Sequence, residues 1–185
     1  MTPRQSLLLH GRRAPTWQQR TVGVVLILGA LLVGCGGAKK ASDPQIRAGD
    51  IPAAVHAVEQ AAGGPQRYTE INANIDGVTL FVASGDNDEV SYFFHAGTLD
   101  PPGAPAPRQD EPFALDGVPL DVAAQLVTRI EQQFKGAVVT KLALVDLPGQ
   151  GLGWAMTDRS ASGGLLNSFY APTGEVKVAV PADGG

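Results

Sequence analysis

Apolar and polar positions along this chain follow two periods, and the switch from one to the other happens twice. Ile51, Ala54, Val55, Val58, Ala61 and Ala62 recur at helical spacing, which predicts a short amphipathic helix. Asp50 is placed to cap it, Pro52 stands in its first turn, and Gly63-Gly64 supplies the stop. Beyond Pro65 the period falls to two: Ile71, Ala73 and Ile75 face one way, Glu70, Asn72 and Asn74 the other. Asp76-Gly77 is expected to supply the positive φ angles of a tight hairpin turn into a second strand over 78–82. Gly85-Asp86-Asn87-Asp88 forms the next turn, a third strand runs over 90–95, and Thr98-Leu99 adds a short fourth.

Five prolines between 100 and 116 oppose both helix and central strand, so this stretch reads as a linker. The pattern then begins again. Val118-Pro119 echoes Ile51-Pro52, and Leu120, Ala123, Val127, Ile130 and Phe134 form a second helical stripe stopped by Gly136. Strands are predicted over 138–145, 152–156, 165–170 and 175–180. The third strands of the two halves align without gaps, Ser91-Tyr92-Phe93 and Gly97 on Ser168-Phe169-Tyr170 and Gly174. The predicted fold class is α+β: two tandem helix-plus-antiparallel-sheet units, α-β-β-β-β repeated, over 50–99 and 118–181, with a Pro-rich linker over 100–117 and a tail over 182–185. Units of this size bury little core alone, so the two are expected to form one compact body.

The N-terminal region has a different character. The first 42 residues hold no Asp or Glu but carry Arg4, Arg12, Arg13, Arg20, Lys39 and Lys40. The uncharged run from Val22 to Gly34 would span about 20 Å as a helix, against a hydrocarbon core of about 30 Å. A basic segment followed by such a run has the form of a secretory signal peptide, here 1–34. Arg12-Arg13 suggests a twin-arginine signal, but Ala14-Pro15-Thr16 lacks the hydrophobic pair that usually follows. Leu32-Val33-Gly34-Cys35 resembles the lipobox of bacterial lipoprotein precursors. The resemblance implies cleavage before Cys35, a diacylglyceryl group on its thiol and a location on the outer side of a cell membrane; the Gly, Ala, Ser and Lys that follow are the composition of a flexible tether, so 35–49 is expected to be the lipidated cysteine and its tether. Several acyl chains would hold the protein there far more firmly than one.

Composition matters most once that cleavage is considered. The whole chain has a net charge of −4, and loss of the four N-terminal arginines leaves 10 basic residues against 18 acidic ones, or −8. A nucleic-acid partner is therefore not expected, since phosphate contacts need clustered Lys and Arg. Cys35 is the only cysteine, which excludes an internal disulfide or a cysteine-built zinc site.

Candidate chemistry is sparse. His56 and His95 are the neutral-pH bases of the folded region, one within a helix and one at a strand end, and both are expected to be structural. Neither a G-x-S-x-G elbow nor an H-E-x-x-H zinc motif occurs. Gly149-Gln150-Gly151-Leu152-Gly153 resembles a phosphate-binding loop, but a strand follows instead of a helix, so a hairpin turn is expected. Asp86, Asp88 and Glu89 could gather oxygen ligands for calcium but lack EF-hand spacing, and a solvated turn is expected. No cofactor or metal is expected. Tyr92, Phe93, Phe94, Trp154, Phe169 and Tyr170 make a candidate binding surface. Successive strand residues face opposite sides, so some of these rings must leave the core face.

The repeated element order resembles tandem PepSY-like and beta-lactamase-inhibitor-protein-like domains of secreted bacterial proteins, over roughly residues 50–180. The resemblance implies binding or restraint of an envelope protease or another enzyme. The sequence thus leads to a lipid-anchored envelope protein with a non-catalytic binding domain for a protein or peptide. The alternatives are a structural or assembly lipoprotein and, after it, a small hydrolase.

Overall fold

The computed structural model describes residues 45–181, so the signal segment, Leu32-Val33-Gly34-Cys35 and the tail over 182–185 lie outside the described residues. The first apolar stripe forms α1 over Ile51–Ala62, with Ile51, Ala54, Val55 and Val58 buried and Gly63 closing it at φ 83°. Asp50 makes no side-chain cap. A 3₁₀ turn over Ala48–Asp50 leads directly into the helix instead, anchored where the Arg47 N–H donates to the Asn74 carbonyl at 2.8 Å. Ile46 and Ala48 are buried, so the expected tether stops short of Gly49. Two apolar side chains in a polar, Gly-rich stretch give no periodic signal.

Four strands follow: β1 over Tyr68–Ala73, β2 over Val78–Ser84, β3 over Asp88–His95 and β4 over Thr98–Leu99. The turn between β1 and β2 differs from the expected one. Neither Asp76 nor Gly77 has a positive φ. Asn74 Oδ1 accepts from the N–H groups of Asp76 (2.8 Å) and Gly77 (3.1 Å), so an Asn side chain shapes the turn and leaves Ile75 half exposed.

The proline-rich segment is docked along the sheet edge. Its N–H groups at Asp100, Gly103 and Arg108 donate to the carbonyls of Phe93, Ser91 and Asn87, and Ala106–Pro107 forms β5 on β3. Proline cannot occupy a central strand but can line an edge, and here it covers one. Phe113 then bridges to Tyr68 in both directions, and its ring is buried.

The second stripe forms α2 over Val122–Gln133, with Ala123, Leu126, Val127 and Ile130 buried. It ends earlier than expected, because Phe134 turns to an extended backbone and stands 47% exposed. β6 over Val138–Leu147, β7 over Gly151–Arg159, β8 over Leu165–Tyr170 and β9 over Val176–Pro181 complete the chain. The described residues are thus mixed helix and antiparallel sheet, with two helices and nine strands. The strands form one sheet in the order β4-β3-β2-β1-β6-β7-β8-β9, with β5 beside β3.

The first strand of each half pairs with the other antiparallel, so the halves share one continuous sheet. Residues of both helices join Ile71, Leu80, Leu144, Trp154 and Met156 in a single hydrophobic cluster. Both helices therefore lie on one face, and no described helix packs on the other. Among the described residues no helix is long and apolar enough to cross a membrane.

Candidate functional site

Strand alternation assigns each side chain to a face, and the register then assembles the uncovered face of the sheet. Thr79 and Phe81 of β2 stand beside Phe93 and Ser91 of β3, with Glu70 and Asn72 of β1 next in line. Ala143 and Val145 of β6 follow, then Ala155 and Thr157 of β7, Asn167 and Phe169 of β8, and Val178 of β9. The middle of this face is polar: Asn72 Nδ2 donates to Glu70 Oε1 at 3.0 Å, and Lys141 Nζ lies 3.2 Å from the same oxygen. The flanks are apolar, with Phe81 and Phe93 on one side and Ala155, Phe169 and Val178 on the other.

The six aromatics of the candidate surface divide between the two faces. Phe94, Trp154 and Tyr170 are buried on the helix-covered face, and Tyr92 is half-buried against the same cluster. Trp154 is 0% exposed and its Nε1 donates to the Pro172 carbonyl at 3.1 Å. Only Phe93 and Phe169 reach the uncovered face. Phe93 is half-buried and stacks on His95, with centroids 5.2 Å apart. Phe169 is 5% exposed, with Lys177 Nζ 5.2 Å above its ring. That lysine is held in place by donating to the Gln150 carbonyl at 2.8 Å.

Two glycines make room for these rings. A Cβ at Gly77 would meet two Phe93 ring atoms at 2.9 Å, and one at Gly153 would meet Phe169 Cζ at 2.6 Å. Phe94 likewise pairs with Val78 as Tyr170 pairs with Trp154. By register Phe93 takes the place in the β2–β3 pair that Phe169 takes in the β7–β8 pair, one residue away from the gapless sequence alignment. The turn closed by Gly174 is one residue longer than the turn through Gly97, which shifts the glycine match off the strand match.

Phe81, Glu70 and Lys141 were not among the expected site residues. Phe81 was accessible from sequence, as it alternates against Leu80 and Val82 in a predicted strand. The Glu70–Lys141 pair depends on the β1–β6 register and has no local signal.

The other candidates are quickly placed. His56 is exposed on α1, and His95 Nδ1 lies 3.7 Å from Asp100 Oδ2 at the surface. Glu89 accepts from the Thr69 hydroxyl at 2.5 Å, while the Asp86 carbonyl accepts from Arg108. Among the described residues no three His, Cys, Asp or Glu side chains gather to hold a metal. Gly149 and Gly151, at φ 75° and 72°, turn β6 into β7 as a hairpin.

A cleft of about 420 Å³ beside α1 is lined by Glu59, Arg67 and Asp116 among apolar Val55, Leu115 and Leu120. Arg67 is held there by the Pro112 carbonyl. Tyr68 is buried nearby, and burial, reinforced by the neighbouring Glu59 carboxylate, pushes its pKa up. Comparison of the chain with protein-family models, curated proteins and solved structures finds no match.

Proposed function

We propose that this chain is a lipid-anchored cell-envelope protein whose folded domain binds an envelope protein through the uncovered face of its sheet. The observation that carries the reading is the one-sided placement of the helices, which leaves a broad face with two apolar flanks around a polar centre. Protein interfaces have this mixed character, and their energy concentrates in a few aromatic and charged anchors. Phe81 and Phe93 are the anchors on one flank and Val178 on the other, where the buried Phe169 supports it from the neighbouring strand, and Glu70 with Lys141 fixes orientation. The membrane attachment rests on Cys35 and the segment before it.

The domain, in this reading, consists of two copies of an α-β-β-β-β unit. Several observations support the repeat. Buried Ile51, Ala54, Val55 and Val58 recur with the same spacing as Ala123, Leu126, Val127 and Ile130. Ile71 faces Leu144 while Ala73 faces Leu142, with Asn72 opposite Ala143, as expected about a local twofold axis. Both inner strands carry an irregularity at a threonine, Thr69 and Thr140. The two hydroxyls lie 3.5 Å from the Phe81 carbonyl and 3.1 Å from the Thr157 carbonyl, at matching places on the next strand.

The test is a native pull-down of the full chain from envelope extracts, comparing wild type with Phe81→Glu and with His56→Glu on the opposite side. A stoichiometric protein retained by wild type and His56→Glu but lost with Phe81→Glu is the expected result. Equal retention by all three would contradict the assignment of the face.

A further inference from the structure

A second region departs from the demands of the fold. Asp158 of β7 pairs with Val139 beside the irregularity at Thr140, on the helix-covered face. The matching place in the first half, paired with Tyr68 beside Thr69, is Val82. The same backbone position is thus filled by a buried valine in one half and by a carboxylate, 4% exposed, in the other. The sheet needs no acid here. Asp158 Oδ1 accepts no hydrogen bond from any described residue, although buried polar groups are nearly always paired.

Asp158 is among the residues lining a cleft of about 510 Å³ between the end of α2 and the β7–β8 hairpin, with its Oδ1 turned out of reach of solvent. The volume falls in the usual range for small-molecule sites, about 300–1,000 Å³. Phe134 and Leu166 give it apolar walls. Ser160 and Ser162 add two hydroxyls at its rim, 3.0 Å from each other. Lys135 also lines the cleft but gives Oδ1 no hydrogen bond, and Asp158 is flanked on the neighbouring strands by Val139 and Leu166. Burial pushes the Asp158 carboxyl up, its own N–H opposing this in part. An incoming cation would supply the missing partner, and the broad χ2 of Asp lets the carboxylate turn to meet it. One carboxylate with hydroxyls and apolar walls suits an ammonium group on a hydrophobic body better than a metal ion, which takes several oxygen ligands.

We propose that this cleft binds a small organic cation, a protonated amine carried on an apolar body, with Asp158 as the counter-ion and Phe134 and Leu166 around the body.

The full chain, purified in mild detergent, is titrated calorimetrically with phenethylamine and with 2-phenylethanol, its uncharged analogue. Saturable one-to-one binding of the amine is expected, weaker by about tenfold or more for the alcohol and for Asp158→Asn, as befits loss of a charged hydrogen bond. Binding should also weaken as pH falls through the titration of Asp158, while the amine stays protonated. Phe134→Ser, at a half-exposed wall position, should weaken binding without disturbing the core and so serves if Asp158→Asn misfolds. Lys135→Ala should leave binding intact or tighten it. No saturation up to about 10 mM amine, equal affinity for amine and alcohol, undiminished binding by Asp158→Asn or Phe134→Ser, or loss with Lys135→Ala would each overturn the proposal.

Discussion

Replacing Gly153 by alanine tests the packing that shapes the uncovered face. Gly153 pairs with Val145, and the added methyl would lie 2.2 Å from the Tyr170 carbonyl oxygen and 2.6 Å from Phe169 Cζ. The ring can swing aside, but the carbonyl belongs to the backbone of β8 and moves only if the β7–β8 pairing opens. Overpacking of this kind costs about 1–3 kcal/mol, and a backbone obstacle places this case at the upper end. A loss of about 3 kcal/mol lowers the melting temperature by about 6–12 °C in a domain somewhat larger than this. Gly49→Ala is the control, because nothing stands within 4 Å of its Cβ and the backbone there suits alanine. It should change stability by no more than about 0.5 kcal/mol. Urea unfolding followed by far-ultraviolet circular dichroism measures both. If Gly153→Ala unfolds within about 0.5 kcal/mol of wild type, the close ring-over-glycine arrangement is wrong.

Three other outcomes are expected. Asp158 has a folded pKa raised by burial, so the folded state holds its proton more tightly than the unfolded one. Stability contributed by that proton is present below the unfolded carboxylate value of about 3.9 and is lost as pH rises to the folded value. Asp158→Asn should abolish this decline and be more stable than wild type at pH 7, as measured by urea unfolding across pH. Trp154→Phe leaves the Pro172 carbonyl without its donor and should cost about 1–3 kcal/mol in the same assay. Cys35→Ala should move the protein from the membrane to the soluble fraction of fractionated cells; unchanged membrane retention would count against lipidation.

What the sequence reveals depends on how local the cause is. Both helices were legible because their stripes repeat every three or four residues and glycine ends the first. β4 and β8 matched expectation because their bounding turns are written in Gly, Pro and Ser. The turn at Asn74 was misread because a side chain, and not positive φ at Asp76-Gly77, holds it. The proline segment looked like a linker because prolines oppose central strands, yet the edge of β3 tolerates them. The aromatics were visible as a set, but which face each occupies follows from register, and one extra residue in the turn before Gly174 was enough to mispair Phe93 with Tyr170. Asp158, whose Oδ1 accepts no hydrogen bond, had no signal at all, since its burial follows from the register of β6, β7 and β8.

The central claim is that the uncovered face of the sheet meets a protein partner. Site-specific photocrosslinking in intact cells tests it most directly, with the photoreactive residue placed at Phe81, at Thr79 or, on the helix side, at His56. A single protein captured from Phe81 and Thr79 and not from His56 is the predicted result. Capture from His56 alone, or no capture from either face-lining position, would contradict it.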